Sequence, residues 1–273
     1  MRRVFSGLSH RVVPSIVVAA LVLTCITVLP GQLSYAQSTH TPWRTMTLAK
    51  LTAVWWQWSL GIPVSISPFF DDTGAHAYSG QPYSDLLFLA GTFSISETST
   101  GDQVGEVTRS ITVKRGTALF FPLLNTEADN VCVKPHLGGN CFEQEPFPNV
   151  LGVPELRAVA KAQVDPATDL HATLTPTDDA FTPTGDPVDV GYERLQSPPF
   201  GYTVPAVDNL YDFFGIHGVS GKVAPAVSDG YWSFVPGTLA PGHYKLEFGG
   251  SFPINQGANT FTEIITYHIT VTR

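Results

Sequence analysis

The stretch Thr117 to Asn130, TALFFPLLNTEADN, constrains this chain more than any other. Ala118 to Phe121 is an unbroken apolar run that resumes at Leu123 and Leu124 beyond Pro122, then turns polar at Asn125, Glu127, Asp129 and Asn130. A run of that kind is a buried strand, and its polar tail reads as a loop at the strand's end. Amides and carboxylates carried by the end of a fixed strand are where binding and catalytic groups collect. The tail is therefore the first site candidate.

The N-terminus reads as a leader. Arg2, Arg3 and Arg11 precede an apolar stretch from Ile16 to Leu29, and Ser34-Tyr35-Ala36 supplies a small-x-small site. This predicts a secretory signal over residues 1–36, cut after Ala36, and one β-sandwich domain over 37–273. An uncleaved anchor, a twin-arginine leader or a lipid attached at Cys25 are the alternatives. The formal charge is −8, and losing those three arginines would take it to −11. An acidic surface repels phosphate backbones, which argues against a nucleic-acid partner. No second apolar run reaches transmembrane length, so a mature chain without a membrane span, secreted or periplasmic, is expected. Its remaining cysteines, Cys132 and Cys141, have eight residues between them, Gly138-Gly139 included. In an exported protein such a pair reads as a disulfide; a zinc site would need ligands beyond His136.

Upstream, Leu48, Leu51, Val54, Trp55 and Trp58 recur at helical steps until Gly61 and Pro63. That stripe packs a helix onto a sheet and leaves Trp56 to point elsewhere. Asp71, Asp72 and His76 surround Thr73-Gly74, an Asx-type turn by composition, with calcium as the alternative. Val107, Ile111 and Val113 alternate with polar residues, and Lys114-Arg115-Gly116 then turns into the central strand, which predicts an antiparallel hairpin. Pro154 opens a short helix over 155–163. Leu170 to Leu174 and Val188 to Tyr192 alternate as strands. Ser197 to Ser228 reads as a long irregular segment with one helical turn at Asp208 to Phe214 and an exposed His217 between glycines.

The C-terminal end carries the strongest fold signal. Tyr244, Leu246 and Phe248 share one face, and the last strand alternates Phe261, Ile265, Tyr267, Ile269 and Val271 with threonines; only Glu263 breaks that face. Leu239-Ala240-Pro241-Gly242-His243-Tyr244 resembles the tyrosine corner of immunoglobulin-like and prealbumin-like sandwiches. The fold class expected is mainly β, an antiparallel sandwich of immunoglobulin-like or jelly-roll-like type with an N-terminal helix and one or two short ones. Together the W-W-x-W helix, L-F-F-P-x-x-N-x-E, D-G-Y-W and the final hairpin resemble a family of exported, mostly β proteins from bacteria. That resemblance implies a single exported β domain and carries no activity with it.

Motifs for a serine elbow, a zinc protease, a phosphate loop and a dinucleotide site are absent from the sequence. The chemistry present is carboxylates, amides and aromatic rings. Glu127 and Asp129, with Asp208 or Asp229 opposite, read as an acid and a base for glycoside cleavage, as a calcium site, or as solvated loop residues. The leading expectation is a carbohydrate- or envelope-binding module in which Asn125, Glu127, Asp129, Asn130, Asp208 and His217 supply polar contacts. Trp56, Tyr211 or Trp232 supplies a stacking face. A carboxylate-dependent hydrolase and a structural envelope component without a ligand site are the other two readings.

Overall fold

The computed structural model describes residues 42–131 and 150–273. The leader and the Cys132–Cys141 pair lie outside those residues. The described chain runs α1 (Leu48–Leu60), β1 (Leu86–Phe88), β2 (Ile95–Glu97), β3 (Gln103–Lys114), β4 (Ala118–Ala128) and α2 (Val153–Val164). It continues through β5 (Thr168–Thr177), β6 (Val188–Asp189), β7 (Glu193–Gln196), β8 (Phe200–Val204) and α3 (Leu210–Phe213). Three long strands close it: β9 (Gly221–Val235), β10 (Gly242–Ile254) and β11 (Asn259–Thr272). Two sheets form, one in the order β1-β4-β9-β7 with β8 also on β9, the other β2-β3-β11-β10-β5-β6. The fold is the expected mainly β sandwich, with two pairings parallel: β1 with β4, and β3 with β11.

Burial pattern decides which sheet each strand joins. β3 buries alternate residues, so it has one wet face; β4 buries every residue from Ala118 to Leu124, so it has none. Strands with those two patterns belong in different layers. The hairpin predicted between them does not form, and the turn at Arg115 instead carries the chain from one sheet to the other. β4 is thus a middle layer. Leu119, Phe121 and Leu123 face Leu246, Phe248 and Ile269 of the six-stranded sheet. Ala118 and Phe120 face Trp55 and Trp58 of α1. Phe120 stacks on Trp232 of β9 at 5.1 Å between ring centres, and Trp55 meets the same indole edge-on at 5.3 Å.

Helix α1 begins where the Thr47 side chain accepts from the Lys50 N–H and ends at Gly61. Its tryptophans are tied as well as packed: Trp55 Nε1 donates to Leu89 O at 3.0 Å, and Trp58 Nε1 to Ser79 O at 2.9 Å. At the other end of the molecule the Tyr244 hydroxyl donates to Ala240 O at 3.0 Å, closing the expected corner ahead of the final hairpin. Asp229-Gly230 makes no turn; both residues lie inside β9. There Asp229 is buried and takes a two-pronged bond from Arg194 at 2.9 and 3.0 Å.

The fully buried Arg109 projects from β3 into the sandwich. Its guanidinium donates to Asp71 O at 2.6 Å, to Ala90 O at 2.9 Å, to Gly91 O at 3.0 Å and to the Tyr267 hydroxyl at 3.0 Å. One side chain so satisfies three carbonyls on two loop segments that have no strand partner there. Arg109→Met should leave the Asp71 and Gly91 carbonyls dry and unpaired, with only the Tyr267 hydroxyl still on Ala90 O, at a cost of about 3–5 kcal/mol. Urea denaturation of the variant measures this, and a loss under about 1 kcal/mol would contradict the role.

Candidate functional site

The position of the site follows from one extra residue in β4. Pro122 pairs with Trp232 and Leu124 with Tyr231, so Leu123 has no opposite number and the strand bulges. Pro122, with no N–H to give, suits that point. Before the bulge, even-numbered residues face α1. After it the phase reverses: Leu124 turns toward the six-stranded sheet, while Asn125 and Glu127 turn to the α1 side. There Glu127 pairs with Ser228, whose hydroxyl lies 3.5 Å from that of Thr52 on α1. The polar tail of the central stretch is therefore still strand as far as Ala128 and is folded under the helix.

β1 covers β4 only at Ala118 to Phe120. Beyond that point β4 pairs with β9 alone among the described residues, and a cavity of about 550 Å³ lies along its other edge. Trp56, Leu210, Tyr211, Gln163 and Phe252 line it along with Asn125 and Glu127. Three polar atoms in its wall, Trp56 Nε1, Asn125 Nδ2 and Glu127 Oε1, are buried with no hydrogen-bond partner among the described residues. Buried polar atoms are nearly always paired, so three orphans on side chains that line one space single this wall out. Gly230 opposite Asn125 contributes by its bareness: a methyl there would lie 2.6 Å from the Asn125 Cβ.

Asp129 is differently placed. Its Oδ2 accepts from the hydroxyls of Tyr202 and Tyr211, the latter at 3.0 Å, and its Oδ1 accepts from the Val131 N–H at 2.7 Å. The two hydroxyls also touch each other. Burial raises Asp129 above its ordinary value, and these three donors pull it back. Burial raises Glu127 well above its own, and the Asp129 carboxylate adds to that. Of this coupled pair, Glu127, whose Oε1 has no donor among the described residues, is pushed further toward the protonated form, and the three donors favour the charge on Asp129. Burial holds both tyrosines well above 10, so they remain donors.

A second cavity of about 430 Å³ shares Trp56, Leu124, Asn125 and Leu210 with the first. Trp55, Phe69, Phe93 and Phe261 line its far side, and Glu263 stands in the wall. One Glu263 oxygen accepts from the Thr92 N–H at 2.9 Å and occupies the space of an absent side chain, 2.0 Å from where a Gly91 methyl would be.

The remaining sequence candidates lie elsewhere. Asn130 is spent on structure, its amide exchanging two bonds with the Leu151 backbone at 3.0 and 2.7 Å. Trp232 is 1% exposed between Phe120 and Trp55, which corrects its assignment as a stacking face. Asp208 accepts from Ser65 N and Oγ on the surface, and His217 is exposed beside Asp212. Asp229 points to the opposite face of the sheet from Glu127, so it is no partner for it. Asp71 is consumed by its turn, accepting from Thr73 and His76, and Asp72 accepts from Ser94 Oγ. No cluster of three metal-ligating side chains occurs among the described residues, and none of their helices is long and apolar enough to cross a membrane.

Two residues of the site escaped sequence reasoning although each had a signal. Glu263 is the one break in the inward face of β11. Tyr202 lies in β8, where Phe200, Tyr202 and Val204 alternate as buried residues inside a segment whose prolines and glycines obscured the period.

Burial pushes the Glu263 carboxyl from 4.5 up to about 7, with the Thr92 N–H and the Arg109 charge opposing. The folded chain binds this proton more tightly than the unfolded one. The resulting stability is full below about pH 4.5 and is lost as the pH climbs to 7. Glu263→Gln should therefore lessen the fall in melting temperature of the parent protein across that interval, and parallel pH profiles would refute the assignment. No family model, curated protein or solved structure matches this chain, and the cavity's own chemistry is the ground for its function.

Proposed function

We propose that this chain is an exported binding protein that takes a small molecule into the cavity beneath Trp56, between α1 and the open edge of β4. The observation that carries the reading is the set of three partnerless polar atoms on Trp56, Asn125 and Glu127 around one space of about 550 Å³. Pockets of that size with apolar walls and a few convergent polar groups suit small ligands. Export rests on the leader-like sequence through Ala36. A carbohydrate remains one ligand class for this site, with the Trp56 ring beside an amide and a carboxyl group, though without the stacking face assigned to Trp232.

A second reading is favoured by one feature. A carboxyl group that burial pushes toward its protonated form, next to one whose charge three donors favour, is what a general acid requires, so hydrolysis at Glu127 is the enzymatic alternative.

Melting of the purified protein against oligosaccharides and apolar small molecules tests both. A ligand at a hundred times its Kd should stabilise the fold by about 2.7 kcal/mol, and Asn125→Ala should lose most of that shift. In a binding protein Glu127→Gln keeps affinity within a few-fold; in a hydrolase it abolishes turnover. A panel that gives neither shift nor turnover counts against both readings.

A further inference from the structure

The chemical class of the guest is written into the junction between the two cavities. Trp56 and Asn125 line both, and their unpartnered atoms are N–H groups, which can only donate. Burial favours the protonated form of Glu127 in the wall of the first cavity, and that form adds an O–H. Donors without partners among the described residues, carried by the two side chains that line both cavities, call for an acceptor and would otherwise stay dry and unpaired. On one side Val159, Ala162 and Val164 line the first cavity along with the polar Thr126, Gln163 and Asn255; on the other, Trp55, Phe69 and Phe261 make the second cavity the more apolar of the two.

We propose that the cleft binds an elongated, mostly apolar molecule with an acceptor-only polar group near its middle, such as the carbonyl of an ester, ketone or amide. The carbonyl sits among Trp56, Asn125 and Glu127, and one apolar arm enters each cavity. This rests on the binding reading above and narrows it. A polyol fits the second cavity less well, because each hydroxyl entering it would need a partner along walls of tryptophan and phenylalanine.

Titration calorimetry of the full chain with three probes tests this: hexyl hexanoate, its isomer methyl undecanoate, and cellotriose. The two esters have the same atoms and differ only in where the carbonyl lies. Hexyl hexanoate should bind roughly tenfold more tightly than methyl undecanoate, because an end-placed ester leaves about two methylenes outside an apolar cavity. Trp56→Phe and Asn125→Ala should each weaken hexyl hexanoate about fivefold to tenfold. If these variants fold poorly, the comparison of isomers on the parent protein still decides. Equal affinity for the two isomers, or ester binding untouched by both variants, overturns the proposal. Cellotriose binding that depends on Asn125, without ester binding, overturns the ligand class and leaves the binding reading standing. Failure of all three probes overturns the proposal, and the binding reading falls only if the wider thermal panel is also silent.

Discussion

The buried guanidinium of Arg109 is the interaction on which the rest of this structure depends. Among the described residues it alone bonds to the carbonyls of Asp71, Ala90 and Gly91 together, and no described strand pairs those segments at that point. Holding Ala90 and Gly91 fixes Leu89, which anchors Trp55, and Thr92, which anchors Glu263. Helix α1 and the second cavity are thus referred to one cation in the sandwich. Its charge is spread over a planar fork that bonds to carbonyl dipoles without a carboxylate in contact, an arrangement a lysine could not reproduce.

Around that anchor the molecule is layered. The six-stranded sheet has one face in solvent, β4 and the middle of β9 are buried on both, and α1 closes the far side. The middle layer is where a site can be screened from water, and β4 supplies it because β1 stops at Phe120. The edge left uncovered there is enclosed by α1, α2 and the end of β10, so space opens without exposing a strand to other chains. Asp129, with Tyr202 and Tyr211, fastens β8 and α3 to the end of the same strand, so the cavity's floor and one flank share a single charged knot.

Much of this was legible in the residues. The unbroken run at Ala118 fixed β4 as a buried strand, the helical stripe ending at Gly61 fixed α1, and the alternation from Tyr244 onward fixed the final hairpin and its corner. Asn125 and Glu127 were legible as site residues because polar groups directly after such a run are costly to bury. Their surroundings were not. A strand's period shows which residues share a face, but the face they meet depends on pairing with β9, more than a hundred residues away. Trp232 looked available for the same reason: nothing local reveals that Phe120 covers it. Glu263 stood out as an anomaly, and only the bare backbone of Gly91 across the cavity wall gives it a place.

The bulge at Leu123 has a consequence for how this site can be lost. Substitutions at Asn125 or Glu127 remove one group each and leave the rest in place. Deleting Leu123 would only straighten the strand and leave Asn125 opposite Gly230. Inserting one further residue between Leu124 and Asn125 would keep every functional group in the chain and turn the strand's far end over, so that the amide and the carboxyl face the interior between the sheets and Thr126 faces the helix. The spacing of the chain is as much a part of this site's specification as the identity of its side chains, and a comparison that aligned residues while allowing a gap here would match the letters and miss the site.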